Sequence, residues 1–306
     1  MALYRAFGLT LDSGFELPGM RPVEAVDADR VSLGLATERE LDAAWSGSDG
    51  QPTWLTRFPD GNLVRVDTGP AGDQRFEFGA LASFWLSPDA DRLICAPQDA
   101  ANPAWQRFLL DTVLWWTALR RGYCLLHACA IDHPMGVIAV TSGMGGGKTT
   151  LALELLTRGY PLFCDDVLAM RTTDGEVLGE PGPPFMNVPR AARDQTVPGT
   201  PLASLDDEVW LAVDQVALEP RPLGALFVYN RAAGLPLEAG ATEASVLDLV
   251  PHLFLPAGDL SRNDFDLLSN VADRVPIFRL TAPADASAAA VSDTIESALE
   301  ECTSKV

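Results

Sequence analysis

Residues 127 to 166, HACAIDHPMGVIAVTSGMGGGKTTLALELLTRGYPLFCDD, limit the fold more than any other stretch. Val137-Ile138-Ala139-Val140-Thr141 is a short apolar, β-branched run of buried-strand type. Ser142, Gly143, Met144, Gly145, Gly146 and Gly147 follow, and then Lys148, Thr149 and Thr150. Glycines let the backbone curl until successive N–H groups point inward, and a helix opening at Lys148 adds its free amides and positive dipole end. Strand, glycine loop and helix in that order make a cradle for an anion. The spacing GxxxxGK[ST] brings Lys148 to the β- and γ-phosphates of a nucleotide and the Thr149 hydroxyl to Mg²⁺. Ser142 through Thr150 are therefore the candidate ATP-binding residues, with Ser142 standing where the pattern has its first glycine.

The flanks agree with that assignment. Leu151, Ala152, Leu155 and Leu156 form an apolar face at helical spacing, Arg158 suits the last turn, and Gly159 is the expected residue just past the end. The spacing predicts a helix over 148–158. Tyr160 to Cys164 reads as a second buried strand, with Asp165 and Asp166 at its carboxyl end, where ligands bind in open α/β sheets. Upstream, Cys124 to Asp132 is a further apolar run, turned by His133-Pro134-Met135-Gly136 into the loop strand, which predicts a β-hairpin carrying His127 and Asp132.

Taken together, His127, Asp132, the loop ending in Gly147-Lys148-Thr149, the Arg158-Gly159 pair and Asp165-Asp166 resemble the catalytic domain of the HPr kinase/phosphorylase family. The resemblance covers residues 120 to 190 at motif level and fades on either side. Tyr4 to Leu9, Leu126-His127-Ala128-Cys129-Ala130 and Pro181-Gly182-Pro183-Pro184 look like the narrower HPr-kinase-related serine kinases, including those that phosphorylate the C-terminal serine of lasso peptide precursors. The extended glycine-rich signature that follows the acidic pair in the bifunctional enzymes is not found here. The resemblance therefore does not extend to phosphorylase activity or to HPr as substrate. It implies a P-loop α/β catalytic domain, a homo-oligomer, ATP and Mg²⁺ as cofactors, and a site built from Lys148, Asp165, Asp166 and His127. Within that site the resemblance implies that Thr149 and one aspartate, taken as Asp166, hold the metal, while the other aspartate accepts the proton of an attacking hydroxyl. The sequence does not say which aspartate does which. As an isolated residue His127 is equally a satisfied core histidine, and Asp132 a residue that closes a turn.

A formal charge of −20, from 22 Lys and Arg against 42 Asp and Glu, is spread along the 306 residues with no acidic tail and no basic block. Nucleic-acid binding needs clustered cations and is not expected. An acidic surface favours a neutral or basic peptide or small protein as partner. The five cysteines contain no CxxC, and three lie in apolar strand-like runs, so they read as small buried hydrophobes in a reducing, cytoplasmic setting. Neither a signal peptide nor a membrane span is expected, because Phe108 to Leu119 is too short and carries Asp111.

The domain division is drawn near Asn102. Residues 1–102 predict a smaller β-rich N-terminal domain with turns such as Pro59-Asp60-Gly61-Asn62, and with Phe7, Trp54, Phe58, Phe76 and Trp85 as core; substrate recognition is its minority reading. Residues 103–121 predict a helix apolar almost all round, and 103–306 the P-loop catalytic domain. Arg190 and Arg193 lie near the proposed site, where an arginine would stabilise a transferring phosphoryl group; solvated loop arginines are the plainer reading. Asp206-Asp207-Glu208 reads as a solvated face, and His252 as isolated and without function. The function that fits is ATP-dependent transfer of a phosphoryl group to a peptide or protein hydroxyl. Two alternatives stay open: an accessory ATPase with no acceptor, and a small-molecule kinase.

Overall fold

The computed structural model describes every residue except 1, 25–28, 48–51, 58–62, 144, 190–198, 206–207, 241–244, 256–259 and 305–306. Phe58, the expected turn at 59–62 and Asp206-Asp207 lie outside the described residues. The fold is mixed α/β with several sheets. The chain divides into two compact units, Met1–Tyr123 with short pieces of the later chain, and most of the remainder.

In the first unit eight strands form one sheet. Their spatial order is Ala2–Ala6, Leu9–Ser13, Arg30–Leu35, Arg92–Pro97, Ala82–Leu86, Gln74–Phe78, Leu63–Thr68 and Trp54–Arg57. The run from Leu3 to Leu11 is a tight hairpin. Phe7 at φ 53° and Gly8 at φ 81° turn the chain so that Ala6 pairs with Leu9. Phe7, Phe76 and Trp85 are buried, as their aromatic bulk requires. A helix not anticipated, Glu38–Ala44, is opened by a capping box in which Thr37 and Glu40 satisfy each other's backbone N–H groups.

The apolar helix is present but interrupted, with α-helix over Ala104–Phe108, a π-helical turn over Leu109–Val113 and α-helix again over Leu114–Arg120. It packs within the first unit. The Trp116 indole donates to Gln74 Oε1 at 2.7 Å, and the Phe108 ring lies 4.6 Å from that of Phe78. The division therefore falls after Tyr123, whose hydroxyl donates to Asp29 Oδ2 at 2.8 Å, and not near Asn102. The helix joins the β-rich unit because its tryptophans find their partners there.

The second unit is organised by the hairpin strand Cys124–His133 and the loop strand Gly136–Ser142, antiparallel to each other. The loop strand also runs parallel to Arg221–Arg231, which in turn runs parallel to Ile277–Ala282. Val167–Thr173 pairs with the hairpin strand, Glu176–Glu180 pairs with Val167–Thr173, and Leu178 and Gly179 reach Pro222 and Arg221. These pairings close five strands into a ring. The placement of Asp165 and Asp166 at a strand end suggests an open α/β sheet, whereas these five strands close on one another, mostly through antiparallel pairs.

Alternation along the loop strand sorts its side chains onto two faces. Ile138 and Val140 pack with Leu151, Leu155 and Leu156 of the loop helix, Lys148–Thr157. Val137 and Ala139 pack with Leu267, Leu268 and Val271 of the helix Arg262–Arg274. A fully buried leucine or isoleucine contributes roughly 1.5–3 kcal/mol, so apolar burial on both faces fixes the strand that carries the loop. Gly159, at φ 93°, ends the loop helix where expected. Arg158 binds Glu154 at 3.2 Å, Asp293 at 2.7 Å and Glu296 at 2.9 Å, tying that helix to the helix Ala288–Thr303.

Candidate active site: the glycine loop and the acids beside it

The loop begins in a strand, which explains the serine at its head. Ser142 is still paired with Tyr229 and needs no left-handed backbone, so a glycine is not required there. The glycines that follow are constrained. Gly145 and Gly147 sit at φ 70° and 95°, which side chains other than glycine rarely adopt. A Cβ on Gly146 would collide with the Ser142 hydroxyl, and Gly146 N–H donates to Gly143 O at 3.0 Å to close the turn. Gly143 and Gly145 face open space, with no atom within 4 Å of where a Cβ would stand. Met144 lies outside the described residues.

Lys148 opens the helix with its ammonium folded back over the loop, donating to Ser142 O at 3.3 Å. It is 7% exposed. The Thr149 hydroxyl makes no hydrogen bond among the described residues, which leaves an oxygen ligand at the helix start. Beneath the helix, Cys129 Sγ donates to Lys148 O at 3.4 Å. Burial pushes the Cys129 thiol up to about 12, so it remains a neutral packing group. Cys95, Cys124 and Cys164 are buried too, and no cysteine is paired in a disulfide.

The acidic pair reaches the loop by a route that differs from the expected one. Leu162–Cys164 runs antiparallel to the hairpin strand, pairing Leu162 with Ile131 and Cys164 with Ala130. Pairing resumes with Val167 opposite His127. Asp165 and Asp166 occupy the break between these stretches. Ala128 N–H donates to Asp166 O at 3.1 Å and pins the break to the strand beside the loop.

The two aspartates are then held unequally. Asp165 is 9% exposed and its Oδ2 accepts the Asn187 N–H at 2.8 Å. The Asp166 side chain is half exposed, with Oδ1 2.9 Å from His127 Nε2. The His127 carbonyl accepts the Thr141 hydroxyl at 2.8 Å, one residue before the loop. Thr141, His127 and Asp166 thus form a continuous hydrogen-bonded link from the base of the loop to the acids.

One residue dismissed from the sequence belongs here. His252 ends a 3₁₀ helix, Val246–His252, after which Leu253 bridges to Leu126 and Phe254 N–H donates to Leu125 O at 3.0 Å. The Phe254 ring lies 5.9 Å from that of His127. Burial first, then the positive charges of His127 and Lys148, hold the His252 pKa below its ordinary 6.5. No local pattern announces it, because its position depends on a pairing between distant parts of the chain. Asp132 lies at the other end of the hairpin strand, opposite Val137 and 3.4 Å from Arg221 Nη1. Arg190 and Arg193 lie outside the described residues.

These groups fit the cofactors the motif implies. The unobstructed glycines, a buried ammonium and a helix start suit nucleotide phosphates. Among the described residues no three His, Cys, Asp or Glu side chains gather as a metal site. Mg²⁺ that arrives with phosphates needs only one or two protein oxygens, and Thr149 and Asp166 supply that chemistry. Among the described residues no helix is long and apolar enough to cross a membrane.

No protein-family model matches the sequence, and no curated protein matches it. Among solved structures, that of the Hpr(Ser) kinase/phosphatase from Coxiella burnetii aligns over 58% of this chain and 98% of its own, with a TM-score of 0.34 and 14% identity.

Proposed function

We propose that the chain is an ATP-dependent kinase that phosphorylates a hydroxyl group, with the serine of a peptide or small protein as acceptor. The observation that carries this reading is the link from Thr141 through His127 to Asp166, which joins a phosphate-type loop to a pair of carboxylates. The loop holds the phosphates, and the two carboxylates beside it supply a metal ligand and a base for the attacking hydroxyl.

In this reading the loop amides from Gly143 to Thr150 and the Lys148 ammonium hold the β- and γ-phosphates. Thr149 and Asp166 would hold Mg²⁺, with His127 orienting the Asp166 carboxylate. Bound Mg²⁺ neutralises charge on the phosphates. Asp165, with Oδ2 fixed by Asn187, accepts the hydroxyl proton at Oδ1 as the acceptor oxygen bonds to the γ-phosphorus and the bond to the β-phosphate oxygen breaks. Lys148 stays with the departing diphosphate. The net acidic surface favours a neutral or basic peptide.

Intact-mass spectrometry after incubation with MgATP tests this directly, using serine-ending peptides and HPr-like proteins as acceptors. The expected result is a gain of about 80 Da that disappears with Lys148→Ala. ATP hydrolysis that ignores every acceptor would replace the kinase with an ATPase.

A further inference from the structure

A cleft of about 130 Å³ adjoins the end of the glycine loop, shares Gly147 and Thr150 with it, and extends beyond them between the loop helix and the strand of Tyr229. Gly147, Leu151, Tyr229, Arg231, Ala288 and Val291 line it. We infer that this cleft receives the nucleoside end of the nucleotide, with Tyr229 and Arg231 as its recognition groups. The inference rests on the phosphate-loop reading above and adds where the rest of the ligand goes.

Strand register sets up the cleft. Tyr229 pairs with Ser142, the last strand residue before the loop, and Arg231 lies two residues further along the same strand, on the same side. Arg231 Nε donates to Ala284 O at 2.9 Å and Nη2 to Ala286 O at 3.0 Å. Two of the three guanidinium nitrogens are thereby pinned to backbone, and Nη1 makes no hydrogen bond among the described residues. Nη1 lies 3.6 Å, and Tyr229 Cε1 3.9 Å, from the point where a Cβ of Gly147 would stand. Glycine at 147 therefore keeps the passage between loop and cleft open.

The lining chemistry is selective. Leu151, Ala288 and Val291 are apolar, and the buried Tyr229 adds an aromatic ring. Such walls suit a flat heteroaromatic base better than a sugar or an ion. Arg231 Nη1, at the mouth, suits the α-phosphate or a ribose oxygen. Inorganic polyphosphate would fill the loop and leave the cleft empty.

The test is calorimetric titration of the full chain with MgATP and, separately, with magnesium tripolyphosphate, on the unmutated protein and on Ala288→Phe. The unmutated chain should bind MgATP at least tenfold more tightly than tripolyphosphate. Ala288→Phe should bring ATP down to the tripolyphosphate level and leave tripolyphosphate unchanged. Equal affinity of the unmutated chain for the two ligands would overturn the cleft assignment while sparing the loop, and this measurement does not depend on whether the variant folds. Undiminished ATP binding by a folded Ala288→Phe protein would overturn it too, as would equal loss of both ligands. A chain that binds neither ligand refutes the phosphate-loop reading, and the cleft inference falls with it.

Discussion

Asp73 in the first unit and Asp166 in the second are both carboxylates beside a sheet, and they are held in opposite ways. Asp73 is 1% exposed and accepts the Ser46 N–H at 3.0 Å, the Ser46 hydroxyl, and the Trp85 indole N–H at 2.8 Å. Burial raises its pKa, but these donors outweigh burial and hold it below the ordinary 3.8. Asp166 is half exposed, with Oδ1 2.9 Å from His127 Nε2. A carboxylate enclosed by donors stabilises the fold. One left facing solvent beside an anion loop remains able to take a metal or a proton.

Substitutions should separate these roles, and the largest effect is expected at the site. Asp165→Asn keeps an oxygen for the Asn187 N–H and removes the proton acceptor. Transfer should fall about 10²–10⁴-fold with little change in melting temperature, read by phosphopeptide yield and thermal denaturation. Retained transfer would remove Asp165 from its role as base. Asp73→Ala should do the reverse. Buried donors at Ser46 and Trp85 would lose their acceptor, at a cost of about 2–4 kcal/mol, measured by denaturant titration, with transfer per folded molecule unchanged. Thr37→Ala, which removes the capping box of Glu38–Ala44, should cost about 1 kcal/mol in the same titration.

The smallest effect is expected from pH. The folded-state pKa of His252 is depressed, so its contribution to stability is present above the ordinary 6.5. As pH falls below 6.5 the unfolded chain takes up a proton that the folded chain resists, and stability declines until the folded pKa is passed. Denaturation midpoints between pH 7.5 and 5.5 should therefore slope less in His252→Gln than in the unmutated chain. Parallel slopes would show that His252 binds its proton alike in the folded and unfolded chain, and would overturn the depression by burial and neighbouring charge.

What the sequence disclosed follows from how local each signal is. The loop strand, the glycines, Lys148 and the end of the helix at Gly159 are written in adjacent residues, through periodicity and turn chemistry. Thr37 and Glu40 also carried a local signal, the capping box, which could have announced the missed helix. The unequal holding of Asp165 and Asp166 was illegible, because it depends on Asn187 and His127 arriving from other strands. His252 and Arg231 were illegible for the same reason. The apolar helix shows the limit of periodicity. Its pattern predicted a helix correctly but could not say which unit would bury it.

The closed ring of strands has a consequence for the order in which competence is acquired. Its seam joins Ser142 to Tyr229, residues far apart in the chain, so it can pair only once Arg221–Arg231 has been synthesised, whereas the hairpin is local. A growing chain that has reached only the loop helix already contains every residue of the motif. It lacks the strand against which Ser142 rests and from which Arg231 projects. On the proposed function, the ability to hold a nucleotide would then be a late property of the whole second unit, although the motif that suggests it is one of the most local in the sequence.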